Sequence, residues 1–162
     1  MDEQGFNYFE NSRYIDNRIQ RKTLIIDKEI LTTTDISETL EEPIAINKES
    51  EIYLDSFTTL DAKQNTVANQ MAFVLKINEF PVQTISTKQG QNGKIIIPNE
   101  QGSASKAVTI HKGKKLNYIC SINPTKITKI TGSITNLADT PAAMFNASGR
   151  FIAEFSIVSK KD

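Results

Sequence analysis

Histidine and cysteine, the residues best suited to nucleophilic and metal chemistry, occur once each in this chain of 162 residues. His111 ends one strand-like run and Cys120 lies in the next, so a hairpin turned at 112–115 would bring the two together. A Cys–His nucleophile pair is the sharpest catalytic hypothesis that the residues offer. The apolar run around Cys120 favours a buried, unreactive thiol instead. Because a metal site needs three or more ligands, a lone His111 predicts none.

Carboxylates are the other candidate chemical groups. Glycoside hydrolysis needs two acids that converge in a cleft, and Asp55, Asp61, Glu79 and Glu154 lie on predicted strands or at their ends. Surface carboxylates are the simpler interpretation. The acidic segment 38–51 lacks the alternating spacing and the glycine of a calcium loop, and no Gly-x-Ser-x-Gly elbow occurs. We therefore predict no catalytic residue, no cofactor and no metal, and a protein that is not an enzyme.

The overall charge argues against general binding to nucleic acid. Lysine plus arginine and aspartate plus glutamate number 19 each, so no basic surplus attracts phosphates. Residues 1–85 nevertheless carry 8 basic and 15 acidic residues, a net of −7, whereas residues 86–162 carry 11 and 4, a net of +7. This asymmetry has two interpretations: charge complementarity between neighbouring copies, or an interleaving of the two halves in one sandwich.

Targeting signals are not evident. The acidic start lacks the apolar segment of a signal peptide, and no run approaches the ~18 apolar residues of a membrane span. We expect synthesis in the cell interior and no membrane span.

Side chains with a period of two indicate β-strands. Met71, Phe73, Leu75 and Ile77 alternate with less apolar neighbours in the run 70–80, as in a central strand of a packed sheet. Further strands are predicted where similar runs recur. They cover 22–27, 51–60, 82–86, 94–97, 106–111, 116–122, 127–136 and 149–158.

Local turn signals complete the predicted layout. Asn92-Gly93 predicts a hairpin between 82–86 and 94–97, and the basic turn 112–115 predicts one between 106–111 and 116–122. Asp35-x-x-Glu38 has the form of a helix start, which Pro43 would stop.

The count of eight to ten strands, with a turn about every ten residues, indicates an all-β protein. We predict an antiparallel two-sheet β-sandwich, a single jelly roll of about eight strands, over residues 23–162. Residues 1–22 are polar but carry scattered aromatic side chains, and we predict an N-terminal arm there.

Five runs in this order resemble a known family. They are Ile52–Thr59, Phe73–Phe80, Lys94–Glu100, Ile130–Asn136 and Phe151–Phe155. Together they resemble the small single jelly-roll capsid proteins, penton or minor capsid proteins, of large double-stranded DNA viruses that infect eukaryotes. The resemblance implies a structural protein of the virion that acts in an icosahedral shell without catalysis. It also implies a homo-oligomer, a pentamer if the protein is a penton, and contacts with other capsid proteins such as a major capsid protein.

Apolar side chains that could meet a neighbouring copy form the candidate interface. In the arm these are Phe6, Tyr8, Phe9 and Tyr14, and in the sandwich Tyr53, Phe57, Ile95 and Ile97. The alternative function is a ligand-binding or carbohydrate-binding β-sandwich module. Such modules use exposed aromatic side chains, and this chain has no tryptophan and only four tyrosines.

Overall fold

The computed structural model of the chain describes residues 19–30, 33–102, 107–112, 117–138 and 143–160. These residues form nine strands and one turn of 3-10 helix, Ala68–Gln70. The strands are β1 (Ile19–Ile30), β2 (Asp35–Ile46), β3 (Ser50–Ala62), β4 (Ala72–Ile77), β5 (Ile95–Pro98), β6 (Val108–His111), β7 (Tyr118–Ile122), β8 (Thr125–Thr135) and β9 (Phe145–Lys160).

The strands form two antiparallel sheets that pack as a β-sandwich. Sheet A has the order β1-β9-β3, and both β6 and β7 pair with the far edge of β3. Sheet B has the order β2-β8-β4-β5. β1 pairs with β9, β2 with β8 and β4 with β5. If β6 and β7 are counted as one interrupted strand that pairs with β3, the four pairs are nested along the chain. This nested pairing is the winding of a single eight-stranded jelly roll, and it confirms the predicted fold class.

A core of aromatic and β-branched side chains joins the two sheets. Phe57 of β3 contacts Phe73 of β4 across the sandwich, with ring centroids 5.2 Å apart, and Phe80 contacts Phe155 at the same distance. Because strand side chains alternate between two faces, each long strand places every second residue in this core. Met71 is an exception to the predicted alternation, since it precedes β4 and is exposed.

The predicted helix start after Asp35 is wrong, because this segment is the edge strand β2. Pairing with β8 over most of the strand overrides the local helix-capping signal of Asp35-x-x-Glu38. Pro43 lies where the register shifts, between Thr39 and Ile44. A proline is tolerated there because bulges and edge strands leave its missing N–H without consequence.

Both predicted hairpins are also wrong, because the strands concerned find partners elsewhere. β5 pairs with β4, and the segment 81–86 is not a strand. It meets the other side of the turn through the Gly93 N–H, which donates to the Thr84 carbonyl at 2.9 Å. β6 and β7 follow one another along β3 and do not pair with each other.

The strand layout bears on three other features of the sequence. The runs 51–60 and 70–80 contain the inner strands β3 and β4, which lie in opposite sheets. The first strand begins at Ile19, inside the range 1–22 predicted as the arm. Strands from the acidic half of the chain alternate with strands from the basic half in both sheets, so the two halves interleave in one sandwich, as the second interpretation of the charge asymmetry expected.

Candidate functional site

A cleft of about 520 Å³ opens between β5, the last of the described strands in sheet B, and the interrupted edge of sheet A. Its volume falls within the range of typical ligand pockets, roughly 300–1,000 Å³. Ile96, Tyr118 and the half-buried Ile119 contribute apolar surface, and Asp55 and Lys94 contribute charge. The cleft therefore combines an apolar interior with a few polar groups.

The interruption between β6 and β7 creates this opening. β7 pairs with β3 as far as Tyr53, and β6 begins to pair only at Phe57. One backbone bond crosses the gap, from the Leu54 N–H to the Asn117 carbonyl at 2.9 Å. The β3 residues between these points line the cleft, because none of the strands described here pairs with that part of the edge.

His111 joins the two sheets at the inner end of the cleft. Its Nε2 lies 2.7 Å from the Thr59 hydroxyl in sheet A. Its Nδ1 accepts the Glu100 N–H at 3.0 Å and lies 3.2 Å from the Pro98 carbonyl, both next to β5. With Nδ1 as the acceptor of the Glu100 N–H, a neutral ring carries its proton on Nε2, which then donates to the Thr59 hydroxyl. Phe73 packs edge-on against the ring, with centroids 4.9 Å apart.

Burial makes the two predicted reactive groups poor at their expected chemistry. Desolvation lowers the pKa of His111 from its ordinary 6.5, against the opposing effects of the Pro98 carbonyl and the Glu100 charge. Burial raises the pKa of the Cys120 thiol to about 11. Cys120 pairs with Ile52 and His111 with Phe57, so they stand at different places along β3. These β3 partners are five residues apart, so the two side chains are not neighbours and the hypothesis of a Cys–His pair loses its basis.

A buried polar network positions the segment after β5. The Asn99 side-chain amide donates to the carbonyls of Lys63 and Gln70, at 2.9 and 2.8 Å. Its Oδ1 accepts the Gln101 N–H at 3.0 Å, and the Gln101 side chain accepts a bond from Thr109. These bonds tie the connector between β3 and β4 to β6, and they hold the backbone that His111 contacts.

The strand β6 is inverted in its burial pattern: it exposes apolar side chains and directs polar ones to the interior, the reverse of an ordinary half-buried strand. Val108 and Ile110 are 70% and 64% exposed, whereas His111 on the opposite face is 3% exposed and Thr109 is half-buried. A slip of one residue would reverse the two faces. The inward polar side chains prevent it, because Thr109 bonds Gln101 and His111 bonds Thr59.

The apolar residues of β6 continue across the outer face of sheet A. Thr58 of β3 pairs with Ile110 on one side and with Ile152 of β9 on the other. Leu60 pairs with Val108 in the next row. Side chains directly opposite on neighbouring strands are ~5 Å apart, so Val108, Ile110, Leu60 and Ile152 form one surface, which we call the sheet A patch.

The candidate carboxylates each have a structural partner. Asp61 is buried at a bulge with φ of 53° and accepts bonds from Asn146 and the Ser148 N–H. Glu79 accepts the Thr131 N–H at 2.6 Å. Asp55 and Glu154 accept bonds from serines across the β3–β9 pair. Within the described ranges, no three His, Cys, Asp or Glu side chains are grouped to hold a metal ion.

The predicted interface residues differ in how deeply they are buried. Phe57, Ile95 and Ile97 are buried in the core, so their expected role as lateral contacts is wrong. Tyr53 is half-buried and meets the exposed Tyr118 with ring centroids 5.9 Å apart. The arm residues lie outside the described residues. They are Phe6, Tyr8, Phe9 and Tyr14.

Sequence reasoning missed the sheet A patch. A signal was present, since Val108 and Ile110 alternate with Thr109 and His111. That alternation leaves open which face is buried, and the usual choice would bury the apolar side chains. Only the hydrogen-bond partners of Thr109 and His111 show that the polar face of this strand is the buried one.

No family model, curated protein or solved structure matches the chain. Among the described residues, no helix has the length and hydropathy required to cross a bilayer.

Proposed function

We propose that this chain is a structural protein of a virion, a single jelly-roll building block that acts by self-association and by contacts with neighbouring capsid proteins. In this role it is a penton or minor capsid component of an icosahedral shell. The resemblance of its five runs to small jelly-roll capsid proteins supports this assignment. The jelly-roll winding is compatible with it, because rigid sandwiches of this kind recur as shell units.

The inverted strand β6 is the observation that carries the proposal. Two branched apolar side chains face outward while a histidine and a threonine face the interior. Single exposed apolar residues are ordinary, but contiguous apolar surface commonly marks an interaction site. The sheet A patch extends over three strands, β9, β3 and β6, and is suited to contact a flat side of a neighbouring subunit.

The same part of the molecule offers little support for catalysis. His111 is neutral and hydrogen-bonded on both ring nitrogens, and its role is to join the sheets. The raised pKa of Cys120 leaves a negligible fraction of thiolate at neutral pH. The chemistry-bearing residues thus stabilise a scaffold, which is what an assembly unit requires.

A charged substitution in the sheet A patch tests the proposal. Burying an isoleucine contributes ~1.5–3 kcal/mol, and burying a carboxylate instead is costly. We expect Ile110→Asp to weaken self-association at least tenfold in sedimentation velocity experiments. Thr128→Asp, at an exposed position on β8 in the other sheet, is the matched control and should leave association unchanged. Equal association of the Ile110→Asp variant and the parent would contradict the proposal.

A ligand-binding module is the second candidate function, and the cleft favours it. Tyr118 is exposed at the lining of the cleft and packs edge-on against Tyr53. Exposed tyrosines provide apolar faces with a polar end, as sugar sites require. Binding of a glycan by the monomer, lost in Tyr118→Ala, would support this candidate over the structural one.

A further inference from the structure

The strand β1 has one side that no other described strand pairs with. All 12 of its residues pair with β9, from Ile19 with Lys160 to Ile30 with Gly149. In an antiparallel ladder, alternate residues direct their N–H and C=O groups to opposite sides, so about six residues of β1 direct theirs away from β9. We call this side the β1 edge. Such a row of backbone groups is a template for pairing with a further strand.

The β1 edge differs from the other described edges of the sandwich. β2 has a register shift at Pro43, β5 has four residues and ends in Pro98, and β6 and β7 leave a gap along β3. Prolines, bulges and short strands are the devices that prevent pairing between edges. β1 is long, lacks proline and has no register shift, so it is the edge best suited to accept a strand.

The outer face of β1 is complementary to itself. Its exposed residues are Arg21, Thr23, Ile25, Asp27 and Glu29, and Ile25 at the middle is 58% exposed. An antiparallel pair of two copies of this strand, centred on Ile25, places Ile25 opposite Ile25. The same pair places Arg21 opposite Glu29 at both ends. Apolar pairs and opposite charges at facing positions stabilise a sheet.

Neighbouring registers lack this complementarity. A shift of one residue would put the outer face of one copy on the side of the inner face of the other. A shift of two residues in one direction places Ile25 opposite Asp27. In the other direction it places Arg21 opposite Asp27, whose carboxylate already accepts the Arg150 Nε–H at 2.7 Å. The register centred on Ile25 is therefore the favoured one.

The inner face of β1 is compatible with this register. It places Lys22 of one copy opposite Lys28 of the other, but both ammonium groups are directed to β2 across the sandwich. Lys28 binds the Glu38 carboxylate at 2.6 Å, and Lys22 donates to the Ala45 carbonyl. The charge of Lys28 is thus compensated within its own chain, which reduces the repulsion.

We propose that the β1 edge pairs with the β1 edge of a second copy of the chain, antiparallel and centred on Ile25, so that sheet A continues from one copy into the next. The contact uses the same residues on both copies, as a two-fold interface requires. The inference rests on the proposed function, because copies joined through the sheet A patch meet this edge at a high effective concentration. With one exposed isoleucine per copy, the β1 edge is the weaker of the two contacts.

Disulfide trapping in the full chain tests the register directly. Facing residues have Cα atoms ~4.5–5.5 Å apart, within the range that a disulfide bridges. Ile25→Cys should therefore form, on mild oxidation, a product of twice the 18.1 kDa of one chain. Thr23→Cys is the matched control, since residues 23 of the two copies would lie ~13 Å apart, and should give about tenfold less. An equal mixture of Thr23→Cys and Asp27→Cys chains should restore the yield.

The outcomes separate this inference from the proposed function. Equal trapping at residues 23 and 25, or no trapping at residue 25 in chains that associate under reducing conditions, would overturn the inference alone. Chains that do not associate at all under reducing conditions would overturn both.

A charge exchange provides a second readout of the same contact. Arg21→Glu places like charges opposite each other at both ends of the pair and should lower the yield of the Ile25→Cys dimer about fivefold. Adding Glu29→Arg to that variant exchanges the two charges and should restore the yield, because the face is again complementary to itself. Both positions are exposed. A double variant that stays as low as Arg21→Glu, or an Arg21→Glu variant with the parent yield, would overturn the inference.

Discussion

Protonation of His111 should destabilise the fold. Because the sequence contains a single histidine, no other histidine contributes to the measured change in stability. In the folded chain, Nδ1 accepts the Glu100 N–H and cannot also carry a proton without losing that bond. Desolvation adds to this cost and holds the pKa below its ordinary 6.5. The Glu100 carboxylate raises the pKa of this ring, and it accepts a hydrogen bond from the backbone N–H of Lys112 at 2.9 Å. As the pH falls, the folded chain therefore takes up a proton at His111 at a lower pH than the unfolded chain does.

The sign and size of the effect follow from this order of proton binding. Above pH 6.5 both states are neutral at His111, and the free energy of unfolding does not depend on this group. Below pH 6.5 the unfolded chain takes up a proton first, so stability falls with decreasing pH until the folded pKa is reached. The slope can reach about 1.4 kcal/mol per pH unit, against a total stability of roughly 5–15 kcal/mol for a domain.

Urea unfolding, followed by circular dichroism at pH 7.5, 6.5 and 5.5, measures this slope. We expect a loss approaching 1 kcal/mol between pH 6.5 and 5.5. The His111→Gln variant lacks the only histidine and should show almost no change over that interval. Stability that stays constant or rises in the parent chain, or an equal slope in the variant, would refute the reasoning.

Two further predictions concern backbone packing and thiol chemistry. A Cβ at Gly132 would lie 1.8 Å from the Lys76 carbonyl oxygen, so Gly132→Ala should lower the free energy of unfolding in urea by about 3 kcal/mol or more. Gly90→Ala should lower it by only ~1 kcal/mol, because φ is +83° there and the space is open. Equal losses in the two variants would contradict that account. Cys120 should resist a disulfide reagent at pH 8 in the native protein and react fully in urea, because burial raises its pKa to about 11; rapid stoichiometric labelling of the native thiol would contradict its burial.

Much of the fold could be predicted from local alternation, because central strands must bury alternate side chains. The strands β3, β8 and β9 lie close to where the apolar runs placed them. Gly132 lies inside the strand-like run 127–136, where a glycine indicates a bulge or a close approach, and the Lys76 carbonyl oxygen, 1.8 Å from where a Cβ would lie, confirms the close approach. The fold class followed from the number and spacing of such strands.

Pairing partners could not be predicted, because they depend on residues distant in the chain. Asp35-x-x-Glu38 carries a valid local signal for a helix, but β8 supplies more bonds than a helix of two turns could retain. Asn92-Gly93 marks a real turn, yet β5 gains a better partner in β4. In the candidate site, the burial of Phe57 and Ile97 and the exposure of Ile110 reflect register, which local composition does not specify.

The mass of the protein in solution as a function of concentration tests the central claim most directly. Light scattering on the full chain should give a mass that rises above the 18.1 kDa of one chain to a defined multiple of it, and the Ile110→Asp variant should remain close to the single-chain value. A parent protein that stays at 18.1 kDa up to millimolar concentration, alone and with candidate capsid partners, would contradict the proposal that this jelly roll is an assembly unit.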